Sequence, residues 1–460
     1  MFILLLLLAL VGPCMVALSV VGSKFFYPNG TQFFIKGINY QLVPHDPLID
    51  PEQCHRDIAL MAELGVNAIR VYHVDTGPPA LVDHRGCMKA FADAGIYVFV
   101  DLDTFNTQID ENAPHWNSSQ FLAFRSVLDE FQQFDNTAGV FVGNEVLTSK
   151  RGTAAAPYVL AAAHDIKMYR DQMNYRPIPV GYSAADIAEL RPMLQNYLAC
   201  SPDPRNRLDF FGLNAYEWCG SSSYIGSGYM ELQKNASGYP IPIFFSETGC
   251  NVARPRTFSD QAAIFGPLMA DTWSGAMVYE WIQETNDYGL ISYGPPDPDG
   301  VNAQTTKATV YDGFTRKGTP TPVMPDFANL KQQWETLSPT GVLLSDYVRS
   351  LSSSSLTTLP ACPEFTADGW SVNPTEFLPV LIGRPSPTAV PTTAEFSENA
   401  ITATTASVHS TSHVGSAGHM GSTMESTAGR NEADALDRTM IMTWTLNLGG
   451  VALLLALLLL

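Results

Sequence analysis

The chain lacks the cysteine–histidine clusters of a zinc protein and the basic surplus of a nucleic-acid binder. Its seven cysteines form no CxxC pair and no cluster with its nine histidines, so no metal is expected. Basic residues are scarce. Lys and Arg number 26 against 45 Asp and Glu, for a formal charge of −19 and a pI near 4.8. That balance repels nucleic acid and anionic lipid and suits a neutral ligand. No glycine-rich phosphate turn follows an apolar run, which argues against a doubly wound nucleotide-binding sheet and against a dinucleotide cofactor; no cofactor is expected. Charge is also missing from both ends, with none before Lys24 and none after Arg438.

What stands at those ends are apolar runs. "MFILLLLLALVGPCMVALSVVGS" has the length and small-residue exit of a signal peptide. Ala17-x-Ser19 fits a small-x-small rule, so residues 1–19 are expected to be removed and the mature chain to start near Val20. A retained membrane anchor is the plainer alternative, but the stretch is short. At the other end, small residues (Ser426, Ala428, Gly429, Asn431, Ala433) precede a polar spacer and a terminal apolar run. That order is the signal for a glycosylphosphatidylinositol (GPI) anchor. Asn431 is the leading attachment residue, with Gly429 and Ser426 open, and 432–460 is the segment removed. A tail-anchored helix is the alternative. The protein is therefore expected to pass through the ER and sit on the outer face of the plasma membrane and in the cell wall. Three N-x-S/T sequons, at Asn29, Asn117 and Asn235, would then be available for N-glycosylation.

Between the signals lie about 410 residues, enough for one large domain and a stalk. The character changes after about Ser350, and over 351–431 the chain is rich in Ser, Thr, Pro and Ala ("PSPTAVPTTAEFSENAITATTASVHSTS"). Such a segment buries too little apolar surface to fold and reads as an O-glycosylated stalk. The folded domain, 20–350, is expected to be tied to Cys362 and to end shortly after it.

Within that domain, apolar and β-branched runs recur: 32–40, 67–74, 96–103, 139–146, 177–183, 210–218, 241–249 and 275–282. Several are continuous enough to be buried parallel strands. Helical patterns lie between most of them. In "SSQFLAFRSVLDEFQQF" Phe121, Phe124, Leu128 and Phe131 repeat at helical spacing, with Ser118 placed to cap. "CHRDIALMAELG" and "CMKAFADAG" each stop on glycine. Eight strand–helix units in about 250 residues is the size of a (β/α)8 barrel. Once Cys14 leaves with the leader, six cysteines remain, with fifteen possible connectivities. Adjacency in a barrel narrows these. Cys54 pairs with Cys87 after strands one and two, Cys219 with Cys250 after strands six and seven, and Cys200 is left with Cys362.

The barrel also bears on an oddity. "AGVFVGNEVL" and "PIFFSETGCN" are apolar runs that each end on a glutamate, Glu145 and Glu247. Active sites of this fold form at the C-terminal ends of the strands, so both carboxylates would face one bowl. Tyr40, Tyr72, Asp101, Asp103, Tyr216 and Tyr279 also fall at strand ends, where tyrosines can stack on sugar faces. Two carboxylates across such a bowl suit glycosidic-bond chemistry. For either glutamate alone, a structural or surface charge is as good a reading.

An "NE" pair closing strand four, with a second Glu closing strand seven, resembles the large clan of retaining barrel glycosidases. More narrowly, "FIKGINYQ", "DPLIDPEQCHRDIALMAELGVNAIRVYHVD", "CMKAFADAGIYVFVDLDT", "VFVGNEV", "PVGYSAAD", "FFSETGCN" and "YEWIQETNDYGLI" look like the fungal β-1,3-glucanosyltransferases, family 72 of the glycoside hydrolases. The resemblance covers about residues 24–350 together with the anchor signal. It implies a cell-wall transglycosylase whose partners are β-1,3-glucan donor and acceptor chains. The enzyme would cut a glucan internally and hold the new reducing end on Glu247, the nucleophile. It would then transfer that piece to the non-reducing end of another glucan, with Glu145 as acid/base. Substrate contacts implied by the family fall on Tyr72, the loop opening at Asp103 and Thr104, Asn144, Asp186, Arg191 and Tyr279, with Tyr216 beside the nucleophile. For Asp186 and Arg191 a local ion pair is the plainer alternative. No cysteine follows Cys362, so the chain resembles the subgroup without a cysteine-rich carbohydrate-binding module. Two further departures are Trp281 at the rim, where another aromatic is common, and a long "HVDTGPPALVDHRGC". A plain retaining endo-β-glucanase on the same barrel is the alternative activity.

Overall fold

The computed structural model describes residues 16–381, apart from 42–45, 78–81, 105, 295–309, 312, 354–358 and 367–368. The leader core, most of the stalk and the anchor signal with Asn431 lie outside the described residues. Among the described residues no helix is long and apolar enough to cross a membrane.

Eight parallel strands close into a barrel: β1 (Ile35–Asn39), β2 (Ala68–Val71), β3 (Tyr97–Asp101), β4 (Thr137–Asn144), β5 (Val180–Ala185), β6 (Phe210–Asn214), β7 (Ile243–Thr248) and β8 (Trp273–Val278). Each hydrogen-bonds its sequence neighbours, and β8 returns to β1 through Gly275–Ile35 to Val278–Ile38. Helices cover the outside: α1 (Pro51–Leu64), α2 (Arg85–Asp93), α3 (Ser118–Phe131), α4 (Ala156–Gln172), α5 (Arg191–Tyr197), α6 (Tyr229–Ala236), α7 (Asp260–Ile264) and α8 (Asp326–Thr336). The fold is a (β/α)8 barrel.

Local chemistry sets the helix ends. Asp50 caps α1 by accepting from the Gln53 amide, and Pro51 takes the first position, where its missing N–H costs nothing. Gly65 ends the helix at φ 77°, the left-handed conformation that favours glycine. At α3 the cap is Asn117, one residue earlier than the expected Ser118. Its side chain accepts from the Ser119 and Gln120 amides while Gln120 bonds back to the Asn117 N–H. The cap uses Oδ1 of this sequon residue.

The first strand is shorter than its apolar run. Gln32–Phe33 pairs instead with Lys24–Phe26 and, through it, Ser19–Val21 in a small antiparallel sheet beneath the barrel. Its Phe25 packs into the barrel floor against Phe99, Phe210 and Phe244, each with ring centroids 6.1 Å away. Gly181 on β5 is required there, because a Cβ would overlap the Phe210 ring. A leader cut at Ser19–Val20 would fall inside this sheet. It would remove Leu18, which is buried, and the Val16 carbonyl that accepts from Tyr97 OH at 2.8 Å.

The three disulfides are Cys54–Cys87, Cys200–Cys362 and Cys219–Cys250, the pairs that barrel adjacency indicates. The folded domain runs further than composition suggests. A ninth helix, α9 (Leu344–Ser353), sets Tyr347 against Phe26. Beyond Cys362, Trp370 is fully buried against Tyr197 at 5.3 Å, Ser371 N donates to Thr153 Oγ1 at 3.2 Å, and Leu381 is buried. A stalk boundary at 351, or an end just after Cys362, is therefore too early. A few large apolar residues in a Ser/Thr-rich stretch are enough to dock it.

Candidate active site

The base of the bowl is built on a charge buried in mid-strand. Arg70, on β2, is fully buried. It makes a two-point contact with Asp101 at the end of β3, Nε to Oδ1 at 2.9 Å and Nη2 to Oδ2 at 2.7 Å. The same guanidinium reaches Ser183 Oγ and Asn144 Oδ1, each at 3.0 Å, and lies 3.6 Å from Glu247 Oε1. Burial alone would favour loss of its proton. The Asp101 charge, with Tyr72 and Glu247, overcomes that and raises its pKa above the ordinary value.

Glu247 sits near the end of β7, 7% exposed. Tyr72 OH donates to Oε1 at 2.6 Å and Tyr216 OH to Oε2 at 2.7 Å. Burial, then the Glu247 charge, holds both phenols well above their ordinary pKa, so they serve as donors. Asn39 Nδ2 fixes Tyr72 OH from the other side at 2.7 Å. Glu247 itself is pushed up to about 7. Burial is the largest cause and the Glu145 charge adds to it, against the pull of Arg70 and the two phenols.

Glu145 follows the last residue of β4 at φ 48°, a conformation that non-glycine residues adopt at a cost and that concentrates at functional sites. Its amide is held by Ser183 O at 2.8 Å. Asn214, paired in register with Glu247 across β6 and β7, donates Nδ2 to Glu145 Oε1 at 2.9 Å and to Asn144 Oδ1 at 3.0 Å. With Oδ1 of Asn144 accepting from both Arg70 and Asn214, its amide NH2 remains for a ligand. Two side chains, Asn214 and Arg70, thus tie the two carboxylates into one network.

Tyrosines form one wall. Tyr216, Tyr279 and Tyr288 meet edge to face, with centroids 6.3, 5.6 and 5.3 Å apart. Gln41 Nε2 donates to Tyr279 OH at 2.7 Å and also to Glu280. Glu280 is fully buried. Burial, reinforced by the Glu284 charge, pushes its carboxyl up to about 8.

Other expected residues divide. Asp103 is buried at the end of the β3 run. Burial and the neighbouring Asp101 charge push it up to about 7, and among the described residues its Oδ1 has no hydrogen-bond partner. Thr104 closes a tight turn with Thr107. Asp186 and Arg191 form an ion pair between the end of β5 and the start of α5. Tyr40 is not in the bowl: it is fully buried, and its OH donates to Asp57 Oδ2 at 2.7 Å behind β1. Trp281 is likewise buried rather than at the rim, with Nε1 donating to Tyr293 OH at 3.2 Å. Arg70, Asn39, Asn214, Gln41, Tyr288 and Glu280 are site residues that sequence reasoning passed over. A charged or amide residue inside an apolar strand, as in "NAIRVYHV" and "FFGLNAYEW", is the signal that marks the first and third.

Residues 9–309 match the family described as Glucanosyltransferase. Among curated proteins, the chain is 37% identical over 374 residues to 1,3-beta-glucanosyltransferase GAS2 of Saccharomyces cerevisiae, covering 78% of this chain and 62% of that protein. It is 39% identical over 375 residues to 1,3-beta-glucanosyltransferase gas2 of Schizosaccharomyces pombe, covering 78% and 74%. Among solved structures, a Glu-to-Gln variant of Saccharomyces cerevisiae Gas2p in complex with laminaritetraose and laminaripentaose superposes with a TM-score of 0.68 at 37% identity, covering 80% of this chain and 76% of that one. The chain thus spans less than two thirds of the budding-yeast relative's length.

Proposed function

Because the chain belongs to the glucanosyltransferase family, we propose that it is a β-1,3-glucanosyltransferase that cleaves β-1,3-glucan internally and passes the new reducing end to the non-reducing end of a second glucan. The observation that carries this reading is the pairing of Glu145 and Glu247 through Asn214 and Arg70. One carboxylate is clamped by two phenols, and the other, among the described residues, accepts a side-chain hydrogen bond on Oε1 alone.

Glu247 attacks the anomeric carbon and forms a glycosyl ester. Tyr72 and Tyr216 hold the attacking group in one orientation and stabilise its ionised form. Glu145 protonates the departing glycosidic oxygen. Arg70 and the two phenols favour the ionised form of Glu247 that attacks. Glu145 then takes the proton of the incoming 3-hydroxyl as that oxygen bonds to the anomeric carbon and the ester bond to Glu247 breaks, freeing its carboxylate with configuration retained. Asn144 offers its amide NH2 to a sugar hydroxyl, Asp103 offers an unpartnered carboxyl oxygen, and Tyr279 lines the bowl beside Tyr216. Asp186 and Arg191 extend the polar edge beyond β5.

Whether sugar or water resolves the ester separates transferase from hydrolase. Incubation with a single reduced laminari-oligosaccharide is expected to give products longer than the starting material. Shorter products alone would make the protein an endo-glucanase. We further place the enzyme outside the cell on a GPI anchor. This rests on the leader and the terminal apolar run, and phosphatidylinositol-specific phospholipase C is expected to move the protein from the detergent to the aqueous phase.

A further inference from the structure

Behind the tyrosine wall lies an arginine that touches no candidate catalytic group. The Arg256 side chain is 1% exposed and is anchored by Asp326, itself 3% exposed, through Nε at 2.9 Å. Asp326 Oδ1 also accepts the Arg256 amide at 3.1 Å, and Asn329, on the same helix α8, donates to the Arg256 carbonyl at 2.7 Å. The anchor is therefore three-point and comes from outside the barrel. The free side of the guanidinium faces inward. Nη1 donates to Tyr279 O at 2.9 Å and Gly249 O at 3.4 Å, and Nη2 to Tyr288 O at 2.5 Å.

Those three carbonyls are not scattered. Gly249 lies two residues after Glu247. Tyr279 and Tyr288 carry the rings that pack on Tyr216, whose hydroxyl holds Glu247 Oε2. One planar cation thus fixes the backbone of both wall tyrosines relative to the β7 end. A planar fork with five donors can satisfy several acceptors at once, whereas an ammonium on a flexible stem cannot hold the same geometry. Burial obliges the remaining guanidinium N–H groups to find acceptors, and the acceptors they meet are three backbone carbonyls on the bowl side.

We propose that Arg256, held by Asp326 and Asn329, is a positioning residue that sets Tyr279 and Tyr288 as the sugar-binding wall and registers that wall against Glu247. The inference rests on the glucan-transfer reading above and adds to it a determinant of donor affinity outside the bowl.

The test is a double-mutant cycle on the full-length enzyme with laminaripentaose as donor, reading kcat, KM and thermal melting. Arg256→Lys keeps the charge beside Asp326 and loses the fork. It is expected to raise KM about tenfold with kcat within about threefold, the pattern of lost substrate binding rather than lost chemistry. In a Tyr288→Ala background the same change is expected to raise KM by less than about threefold, because part of what the arginine positions is already gone. A folded Arg256→Lys enzyme with unchanged KM overturns the proposal, as does full additivity in the cycle. If Arg256→Lys does not fold, Asn329→Ala takes its place in the cycle. It loosens the anchor from the outer face and is expected to raise KM about threefold; an unchanged KM there overturns the proposal too. A wild-type enzyme that neither binds nor transfers laminaripentaose overturns the function reading itself and this inference with it. That result is distinct from an active wild type with an indifferent arginine.

Discussion

Glutamine in place of Glu247 is expected to leave a folded protein that makes no transfer product. The amide cannot form the glycosyl ester, and loss of an activated nucleophile costs on the order of 10⁴-fold or more in rate. A matching Glu145→Gln change removes proton transfer and is expected to cost roughly 10²–10⁴-fold on an ordinary glucan. It should cost far less on a donor whose leaving group needs no proton, which separates the two roles. Ordinary transfer by the Glu247→Gln protein would overturn the nucleophile assignment. Stability supplies a second readout with a definite sign. Glu247 is pushed up to about 7 in the folded protein, from an ordinary value of 4.5. A carboxyl raised on folding contributes stability that is fully present below about 4.5 and is lost as pH rises through about 7. The penalty for keeping it ionised is on the order of 3 kcal/mol. Wild type is therefore expected to lose melting temperature between pH 4.5 and 8, while Glu247→Gln, with no carboxyl to ionise, loses less. Equal slopes for the two proteins would show that Arg70, Tyr72 and Tyr216 compensate the charge fully.

The larger features were legible because they repeat. Most barrel strands are largely apolar runs, since both of their faces are buried, and the eight runs fall within a few residues of the observed strands. Glu145 and Glu247 stood out because a charge at the tip of such a run has no packing explanation. What was not legible depends on contacts between distant segments. Phe34 sits inside one unbroken run, "QFFIKGINY", yet the chain leaves the floor sheet there and enters the barrel; periodicity carries no mark of that change. Tyr40 and Tyr72 look equivalent as strand-end tyrosines. Only the fold shows that Tyr40 turns outward to Asp57 and Tyr72 inward to Glu247. The α3 cap is readable, since Asn117-x-x-Gln120 is a capping-box spacing, while Ser118, also a good capping residue, lies one position inside the helix. Trp370 and Leu381 were hidden by averaging, because composition over a Ser/Thr-rich window dilutes the few residues that dock. Arg256 lies in a loop, where no period exists to be broken.

Methionine in place of Arg70 is expected to damage fold and chemistry together, and the two effects can be pulled apart. Asp101 loses both of its hydrogen bonds to the guanidinium and remains buried. Removing one partner of a buried ion pair typically costs about 3–5 kcal/mol, because the other charge is left uncompensated. The same change takes away a positive charge that lowers the Glu247 pKa. Glu247 therefore titrates higher, and the acid limb of the pH–rate profile is expected to move to higher pH. Asn144 loses one of the two donors that turn its amide toward the ligand. Together these are expected to lower kcat/KM by roughly 10²–10³-fold near pH 6, with part of the loss recovered as pH rises. Adding Asp101→Leu to Arg70→Met removes the orphaned carboxylate, and replacement of a buried pair by apolar residues is often neutral or better for stability. The double variant is expected to regain most of the melting temperature and none of the activity. Recovery of both would reduce Arg70 to a structural cation. Recovery of stability alone, with the acid limb still displaced upward, would show that its charge is what keeps Glu247 ready to attack.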